Sequence, residues 1–424
     1  MKSVHVKNTV RYYILIVLFF SFLFFSNDFG LLDVQKTAIV MAVGIDREED
    51  TFIVTSEIAI PQASKQGKAS EAVQIVSRGK TIADAFKEIN AKTGWYPKLV
   101  FCRLIILGKK TAESNVFDAL DYFLRNEYFS DNCMLATCDG LAADLLNTKA
   151  LVDQSGSVAM EKVLSSHAES VGTVLPNTLR EFSIGYFSDS RCGFLPILKT
   201  QPQQEKIDGA SSSSQSSDSS NGSENNAESG SQSGSSSDAQ SGESSQDPSQ
   251  EKKTDKPVFS ASETALFVDG KRVETFTKEE TFAFSAVINK LKLATYSIEQ
   301  GDRTCTLNVR QSSPRTRFSV GANERAYMKI EVTLTAGISD YSKALDIENL
   351  SDAGNVPRGV FDLAEKKLKA EILRVYEKCR NSGCDLFGLK ERLEKYEKTH
   401  FPKLSDSVLD TSIVDVNVHF RGVR

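Results

Sequence analysis

The chain has 424 residues, of which 40% are hydrophobic and 25% are charged, and its formal net charge is −5. This composition excludes a collagen-like, a wholly disordered and a disulfide-dense protein, and the length suits roughly three domains of about 150 residues. The mild charge gives no electrostatic indication of nucleic-acid binding. The 4 histidines are too scattered for an ordinary histidine metal site. We therefore expect no cofactor, no metal and no nucleic-acid partner.

The first predicted element is an apolar segment at the N-terminus. Lys2, Lys7 and Arg11 precede residues 12–25, YYILIVLFFSFLFF, a run of 14 residues without a charge. Basic residues before this run and acidic residues after it predict a cytoplasmic N-terminus and an extracytoplasmic body. The candidate membrane-anchor residues are the hydrophobic members of the run: Tyr12, Tyr13, Ile14, Leu15, Ile16, Val17, Leu18, Phe19, Phe20, Phe22, Leu23, Phe24 and Phe25.

Two interpretations of this segment stay open. The run has the length of a signal peptide and is shorter than the ~20 residues of a typical transmembrane helix, which favours a cleaved secretory signal. The residues that follow it, SNDFG, contain no A-x-A cleavage site. We favour an uncleaved signal-anchor over residues 1–32, a single-pass transmembrane helix that holds the body on the extracytoplasmic face.

Strands and helices alternate over residues 33–200, which predicts a first α/β domain. Helices are predicted after Thr81, along an apolar stripe at 116–124 and at 141–146. Apolar or alternating runs predict strands at 38–45, 51–60, 72–76, 99–107 and 133–137.

The tripeptide Gly79-Lys80-Thr81 stands before a helix, as in a phosphate-binding loop. Such a loop needs a further glycine five residues before Gly79, and Gln74 occupies that position. Without it the backbone amides cannot curl around a phosphate. We therefore expect Gly79 to form a turn and Thr81 to cap the helix.

A serine-rich segment, 201–257, separates this domain from the rest of the chain, and its composition predicts a disordered linker. A small second α/β domain is predicted at 258–300, with a hairpin turning at Asp269-Gly270 and a helix at 278–291. A third, at 301–424, has strands from 304, at 326–336 and at 414–420, and a long amphipathic helix that ends before Gly383. The fold class is α/β (mixed α+β): three α/β domains after an apolar helix.

Seven cysteines are an odd number for an exported chain, so at least one thiol is free or pairs between chains. Their spacing is not C-x-x-C, which argues against zinc or redox chemistry. A pairing of Cys379 with Cys384 stays open. Buried free thiols are the favoured interpretation.

The order of motifs resembles the C-subunit of nutrient germinant receptors, the Ger(x)C lipoproteins of spore-forming bacteria. The motifs that carry the resemblance are AIVMAVGID, RGKT, LVFCRLIILG, ALDYFLRNEYFSDNCMLATC, SETALFVDGKRVETFTKEET, CDLFGL and VDVNVHF. They cover most of the chain outside the serine-rich segment. Six positions match the family motifs and are expected to be structural, with Gly44 and Asp46 shaping a turn and Phe387 filling a core: Gly44, Asp46, Gly79, Asp385, Phe387 and Gly388.

The chain departs from this family at its N-terminus. Family members carry a Leu-x-Gly-Cys lipobox before the first strand, whereas this chain has SNDFGLLDVQ there and its first cysteine is Cys102. The resemblance is therefore to a lipoprotein without the lipid-attachment cysteine. We expect the apolar helix to replace the lipid as the membrane anchor and the mature protein to retain it.

The resemblance implies a non-enzymatic role in spore germination. It places the protein at the outer face of the spore inner membrane, beside integral-membrane germinant receptor subunits of the A and B types. Two other classes stay open: an anchored extracytoplasmic solute-binding or scaffold protein, and an exported hydrolase. A solute-binding protein predicts a deep cleft lined with aromatic side chains, and a hydrolase predicts a pocket of clustered, perturbed titratable groups.

Overall fold

The computed structural model describes residues 2–26, 37–59, 72–148, 155–165, 172–201, 258–300, 303–341 and 358–423. Within these residues, helices pack on two β-sheets, which confirms the expected mixed α+β class. The predicted serine-rich linker lies outside the described residues, apart from Gln201.

The first sheet has the strand order β3-β2-β1-β5-β6-β7-β8-β9, with β4 paired beside β1. Strands β1, β5, β6 and β7 are parallel, and the flanking strands pair antiparallel to their neighbours. The strands are β1 (Thr37–Glu48), β2 (Thr51–Ala59), β3 (Ala72–Gly79), β4 (Tyr96–Lys98), β5 (Leu104–Leu107), β6 (Met134–Cys138), β7 (Cys192–Gln201), β8 (Val258–Val268) and β9 (Lys271–Phe276).

The second sheet has the order β10-β11-β12-β13, in which only β12 and β13 pair in parallel among the described strands. Its strands are β10 (Ala294–Gln300), β11 (Arg303–Val320), β12 (Ala326–Tyr341) and β13 (Ile413–Gly422). Alternate residues of β13, Val416, Val418 and Phe420, are buried, as the sequence pattern predicts.

The helices cover these sheets, except for α1 at the N-terminus. Helices α2, α4 and α7 share one apolar core with the first sheet, α5 and α6 share another with it, and α8 and α9 share a third with the second sheet. The helices are α1 (Lys2–Ser26), α2 (Ile82–Thr93), α3 (Lys109–Glu113), α4 (Phe117–Arg125), α5 (Ala142–Asn147), α6 (Gly156–Leu164), α7 (Leu179–Phe187), α8 (Lys278–Val287), α9 (Arg358–Asn381), α10 (Leu389–Tyr396), α11 (Phe401–Leu404) and α12 (Val408–Thr411).

Helix α1 contains the apolar run, and its side chains at 10–22 are exposed. Among the residues that the structure describes, no helix is both long enough and apolar enough to cross a membrane. The expected single-pass transmembrane helix is therefore not supported. A 14-residue run rises about 21 Å as a helix, less than the ~30 Å of a bilayer's hydrocarbon core.

Local signals in the sequence produce the expected structures at several places. Thr81 caps α2, because its side chain accepts a hydrogen bond from Asp84 N at 3.2 Å. The β8–β9 hairpin turns at Asp269 and Gly270, whose φ angles are 50° and 76°, as a type I′ turn requires. The apolar stripe of α9 is buried against the second sheet.

The predicted strand at 99–107 is wrong in its first half, because a turn precedes β5. Cys102 N donates to Leu99 O, and this turn leaves Val100 and Phe101 facing solvent. The sequence analysis did not predict strands β4, β7 and β10 or helices α3, α6, α7, α11 and α12.

Strands β8 and β9 complete the first sheet, although they lie beyond the serine-rich segment. The described residues within 1–201 and 257–424 belong to one compact unit. The described part of the chain therefore has two sheets rather than one for each of the three expected domains. The domain boundaries themselves stay predictions.

Candidate functional site

The carboxyl ends of β1, β5, β6 and β7 meet at one edge of the first sheet, because these strands are parallel neighbours. This is the edge at which open α/β sheets commonly bind ligands. Four residues mark it: Asp46 in β1, Gly108 after β5, Asp139 after β6 and Lys199 in β7. We call this group the strand-end site.

Asp46 links β1 to helix α5 at this site. Its side chain is buried, and its two carboxylate oxygens accept hydrogen bonds from Ala142 N at 2.8 Å and Ala143 N at 3.0 Å, the first two amides of the helix. Burial raises the pKa of Asp46, while the two amide hydrogen bonds oppose that rise. Asp46 therefore caps a helix 96 residues away, instead of shaping the turn that the sequence suggested.

Two glycines allow α5 to approach so closely. A Cβ on Gly44 would lie 2.9 Å from Leu146 Cδ1 and 3.1 Å from Ala142 Cβ, both on α5. A Cβ on Gly108 would overlap the Oδ1 atom of Asp46. Because Gly44 and Gly108 have no side chains, the Asp46 carboxylate can reach the N-terminus of α5.

An ion-pair cluster flanks the capped helix. Asp139 pairs with Arg272 at 2.8 Å and with Lys199 at 3.2 Å, and Lys199 also pairs with Glu263 at 2.7 Å. Burial alone would raise the pKa of Asp139, but Arg272 and Lys199 together lower it. Burial opposes the charge on Lys199 as well, yet Glu263 and Asp139 raise its pKa. Both groups are therefore charged at neutral pH, and neither is tuned for proton transfer.

A cavity of about 410 Å³ opens beside this cluster. Its volume lies within the range of small-molecule sites. None of its lining residues is aromatic: Cys138, Asp139, Gly140, Leu141, Asp144, Leu145, Thr148, Leu198, Lys199 and Thr200. Burial raises the pKa of Cys138 to about 12, so this thiol stays protonated and is a poor nucleophile.

We expect Asp139→Asn to lower the free energy of unfolding by roughly 0.5–1 kcal/mol at pH 7, a modest effect because solvent screens the pairs. The Asp139 side chain is 44% exposed. Because folding lowers its pKa, the carboxylate stabilises the protein above the unfolded value of ~3.9, and this contribution is lost as pH falls through the folded pKa. Urea unfolding at pH 7 and near pH 2.5 measures both limits.

The control for this prediction is Asp50→Asn. Asp50 is an exposed aspartate in the turn between β1 and β2, for which no hydrogen bond or ion pair of the side chain is found within the described residues. This variant should match the wild type at both pH values. If Asp139→Asn lowered the free energy of unfolding by the same amount at low pH as at pH 7, the electrostatic explanation would be contradicted.

A second capping arrangement lies beside the second sheet. The carboxylate of Asp385 is buried and accepts hydrogen bonds from Leu389 N at 2.9 Å and Lys390 N at 2.8 Å, at the start of α10. Gly388 is the N-cap residue, with φ +66°, a conformation that favours glycine. Phe387 is buried against the rings of Phe284 and Tyr376 and fills a core, as expected.

Comparison with known proteins identifies the family. Residues 32–200 match the family model described as the spore germination protein N-terminal domain, and residues 262–422 match the model described as spore germination B3/GerAC like, C-terminal. The chain belongs to the GerAC spore germination family. The resemblance drawn from its motifs is confirmed.

A curated relative agrees with this family, and a solved structure resembles the chain in fold. Spore germination protein B3 of Bacillus subtilis strain 168 is 26% identical over 204 residues, which cover 46% of this chain and 53% of that protein. The match thus spans about half the length of that relative. The crystal structure of the GerBC protein has a TM-score of 0.50 at 13% identity and covers 92% of this chain and 99% of its own, which supports the GerAC fold.

The GerAC motif residues fall into three separate places, and none of them forms a site on its own. Gly44 and Asp46 hold α5, whereas Asp385, Phe387 and Gly388 hold α10. Gly79 lies against α2, where a Cβ would come within 2.5 Å of Ala85 N. This close packing accounts for a glycine at position 79, and no phosphate-binding role is needed to explain it.

The sequence analysis missed Gly108, Asp139, Lys199 and Arg272. The first three lie at strand ends, which is a usable signal only once the strands are known to be parallel neighbours. Arg272 lies on β9 and reaches Asp139 across 133 positions of sequence. All seven cysteines are free and buried, as favoured above, and the proposed pairing of Cys379 with Cys384 does not occur.

Proposed function

We propose that this protein is a membrane-attached, non-enzymatic accessory subunit of a nutrient germinant receptor that triggers spore germination. The match of both GerAC family domains, over residues 32–200 and 262–422, is the observation that carries the proposal. Its partners are the integral-membrane A-type and B-type receptor subunits, at the extracytoplasmic face of the spore inner membrane. Deleting the gene should abolish or slow the nutrient-triggered loss of spore refractility, and unchanged germination with every nutrient tested would contradict the proposal.

We also propose that α1 attaches the protein to that membrane in place of a lipid. Its side chains at 10–22 are exposed and almost all apolar. The first cysteine of the sequence is Cys102, and its thiol is buried in the fold. An exposed apolar helix of this kind binds the bilayer through the hydrophobic effect.

The non-enzymatic part of the proposal is supported by the chemistry of the strand-end site. Asp46 is occupied in capping α5, and Asp139 and Lys199 are held in ion pairs. The groups with shifted pKa values thus have structural partners, unlike the acids and bases that the hydrolase hypothesis predicts. The solute-binding hypothesis predicts aromatic lining, which the cavity beside this site lacks.

Membrane attachment by α1 predicts that the double variant Leu15→Asp, Phe19→Asp leaves the membrane. Each substitution replaces a large apolar side chain, whose burial is worth about 1.5–3 kcal/mol, with a charged one, so the membrane-bound fraction should fall at least about tenfold. The measurement is immunodetection of the full chain in inner-membrane and soluble fractions of spores. Germination should fail in parallel.

The matched control is Leu293→Asp, an exposed leucine of the body, 47% accessible, between α8 and β10. This variant should remain in the membrane fraction. If the double variant in α1 also remained there, the body rather than α1 would hold the protein, and the proposed attachment would be wrong.

A further inference from the structure

We propose that the amino edge of the first sheet lies against the surface of the membrane to which α1 attaches. This inference rests on the membrane attachment proposed above. The contact surface, here called the amino-edge patch, consists of Tyr96, Val100, Phe101 and Tyr128. Lipid at the level of the headgroups and upper acyl chains is the partner that the patch would contact.

The four side chains are exposed although all are large and apolar or aromatic. Their exposed fractions are 47% for Tyr96, 48% for Val100, 55% for Phe101 and 77% for Tyr128. Side chains of this kind, gathered at one place, are typical of a surface that meets another apolar phase.

The sheet topology gathers these residues at one edge. Tyr96 lies in β4 and pairs with Thr37, the first residue of β1. Val100 and Phe101 lie shortly before β5, which begins at Leu104, and Tyr128 lies in the segment that leads into β6. Because β1, β4, β5 and β6 all run in parallel, their amino ends are at the same edge.

Hydrogen-bonded turns hold two of these segments with their side chains outward. Cys102 N donates to Leu99 O at 2.9 Å, and Leu99 and Cys102 are buried while the two residues between them are not. In the other turn, Tyr128 N donates to Asn126 Oδ1 at 3.0 Å, while the neighbouring Phe129 packs on the ring of Phe123. The exposure of the patch is thus built into ordered backbone.

The connection to α1 brings this edge close to the membrane. Helix α1 ends at Ser26 and β1 begins at Thr37, and the ten residues between them reach at most about 35 Å even when fully extended. The strand-end site is farther away, because Asp46 lies nine residues beyond Thr37 in β1, about 30 Å along the strand. The amino edge is therefore the edge of the sheet nearer to a membrane that holds α1.

The composition of the patch suits a membrane interface. Tyrosine is enriched at the boundary between headgroups and acyl chains, where its ring is apolar and its hydroxyl is solvated. Lys98 and Arg103 flank the patch, but so do Glu127 and Asp131. Since these charges cancel, insertion of apolar side chains rather than attraction to anionic lipid carries the contact.

The only tryptophan of the chain, Trp95, directly precedes Tyr96 and serves as a natural probe. The experiment reconstitutes the full-length protein with phosphatidylcholine and phosphatidylglycerol vesicles, with and without acyl chains brominated near the headgroup. We expect the brominated lipid to quench Trp95 fluorescence, and we expect the variant Phe101→Ser, Tyr128→Ser to lose most of that quenching. Vesicle flotation, which reports attachment by α1, should be the same for both proteins.

The control variant is Tyr396→Ser, a tyrosine in α10 that is 60% exposed and distant in sequence from the patch. Brominated lipid should quench the Trp95 fluorescence of this variant to the same extent as that of the wild type. Flotation without quenching of the wild type would overturn the orientation while leaving attachment by α1 intact. Equal quenching in the double variant would also overturn it, and failure of the wild type to float would contradict both proposals.

Discussion

Replacing Gly108 with alanine should lower the free energy of unfolding by about 3–5 kcal/mol. The new Cβ would overlap Asp46 Oδ1, so the carboxylate must leave the N-terminus of α5. Ala142 N and Ala143 N would then lose their hydrogen-bond acceptor, and the buried carboxylate would lose its two donors. Each buried polar group left without a partner costs about 1–3 kcal/mol. Urea unfolding followed by circular dichroism measures the loss.

Gly140→Ala is the matched control, because this glycine follows the neighbouring strand β6 and nothing lies within 4 Å of its Cβ position. We expect no loss of stability there, and removal of a flexible glycine can add about 0.4–1 kcal/mol. Combining Gly108→Ala with Asp46→Ala gives a further test. If the overlap with Asp46 is the cause, the double variant should be no less stable than Asp46→Ala alone, and simple additivity would contradict this explanation.

The second large effect is expected for Asp385→Ala, with a loss of about 2–4 kcal/mol. This change removes both hydrogen bonds to the first turn of α10 and leaves Leu389 N and Lys390 N without an acceptor. Loss of a capping side chain by itself costs about 0.5–2 kcal/mol. Burial raises the pKa of Asp385, because it disfavours the charged carboxylate. The hydrogen bonds from the amides of α10 must therefore also offset this cost of burying the charge. The measurement is again the urea midpoint.

Asp385→Asn keeps one oxygen acceptor without the charge, and we expect it to lose less than half as much stability as Asp385→Ala. Asp406→Ala, at an exposed aspartate, is the control and should be neutral. Equal losses for the asparagine and alanine variants would show that hydrogen bonding to α10 is not what makes Asp385 important.

Much of the secondary structure follows from short stretches of sequence. Thr81 is followed by an amphipathic run and caps α2, and Asp269-Gly270 turns the hairpin between β8 and β9. These elements were predictable because a cap or a tight turn is decided by hydrogen bonds and φ angles within a few residues. The prediction of a strand over the whole of 99–107 was wrong, because an apolar run does not reveal the hydrogen-bonded turn between Leu99 and Cys102.

The candidate site was less predictable than the elements that carry it. Asp46 was recognised as a motif residue, but its partners Ala142 and Ala143 lie 96 and 97 positions away. Lys199 and Asp139 meet only because β6 and β7 are parallel neighbours. Contacts of this kind depend on which strands pair, and periodicity within one segment contains no information about that pairing.

Sequence by itself determined the family, the mixed α+β class and the apolar run near the start of the chain. All of these are properties of local patterns or of the order of motifs along the chain. The tertiary structure alone decided that β8 and β9 complete the first sheet, that Asp46 caps α5 and that Tyr96, Val100, Phe101 and Tyr128 lie exposed at one edge. These features arise from contacts between distant segments, which are selected by burial and steric fit in the folded protein rather than by the residues adjacent in the chain.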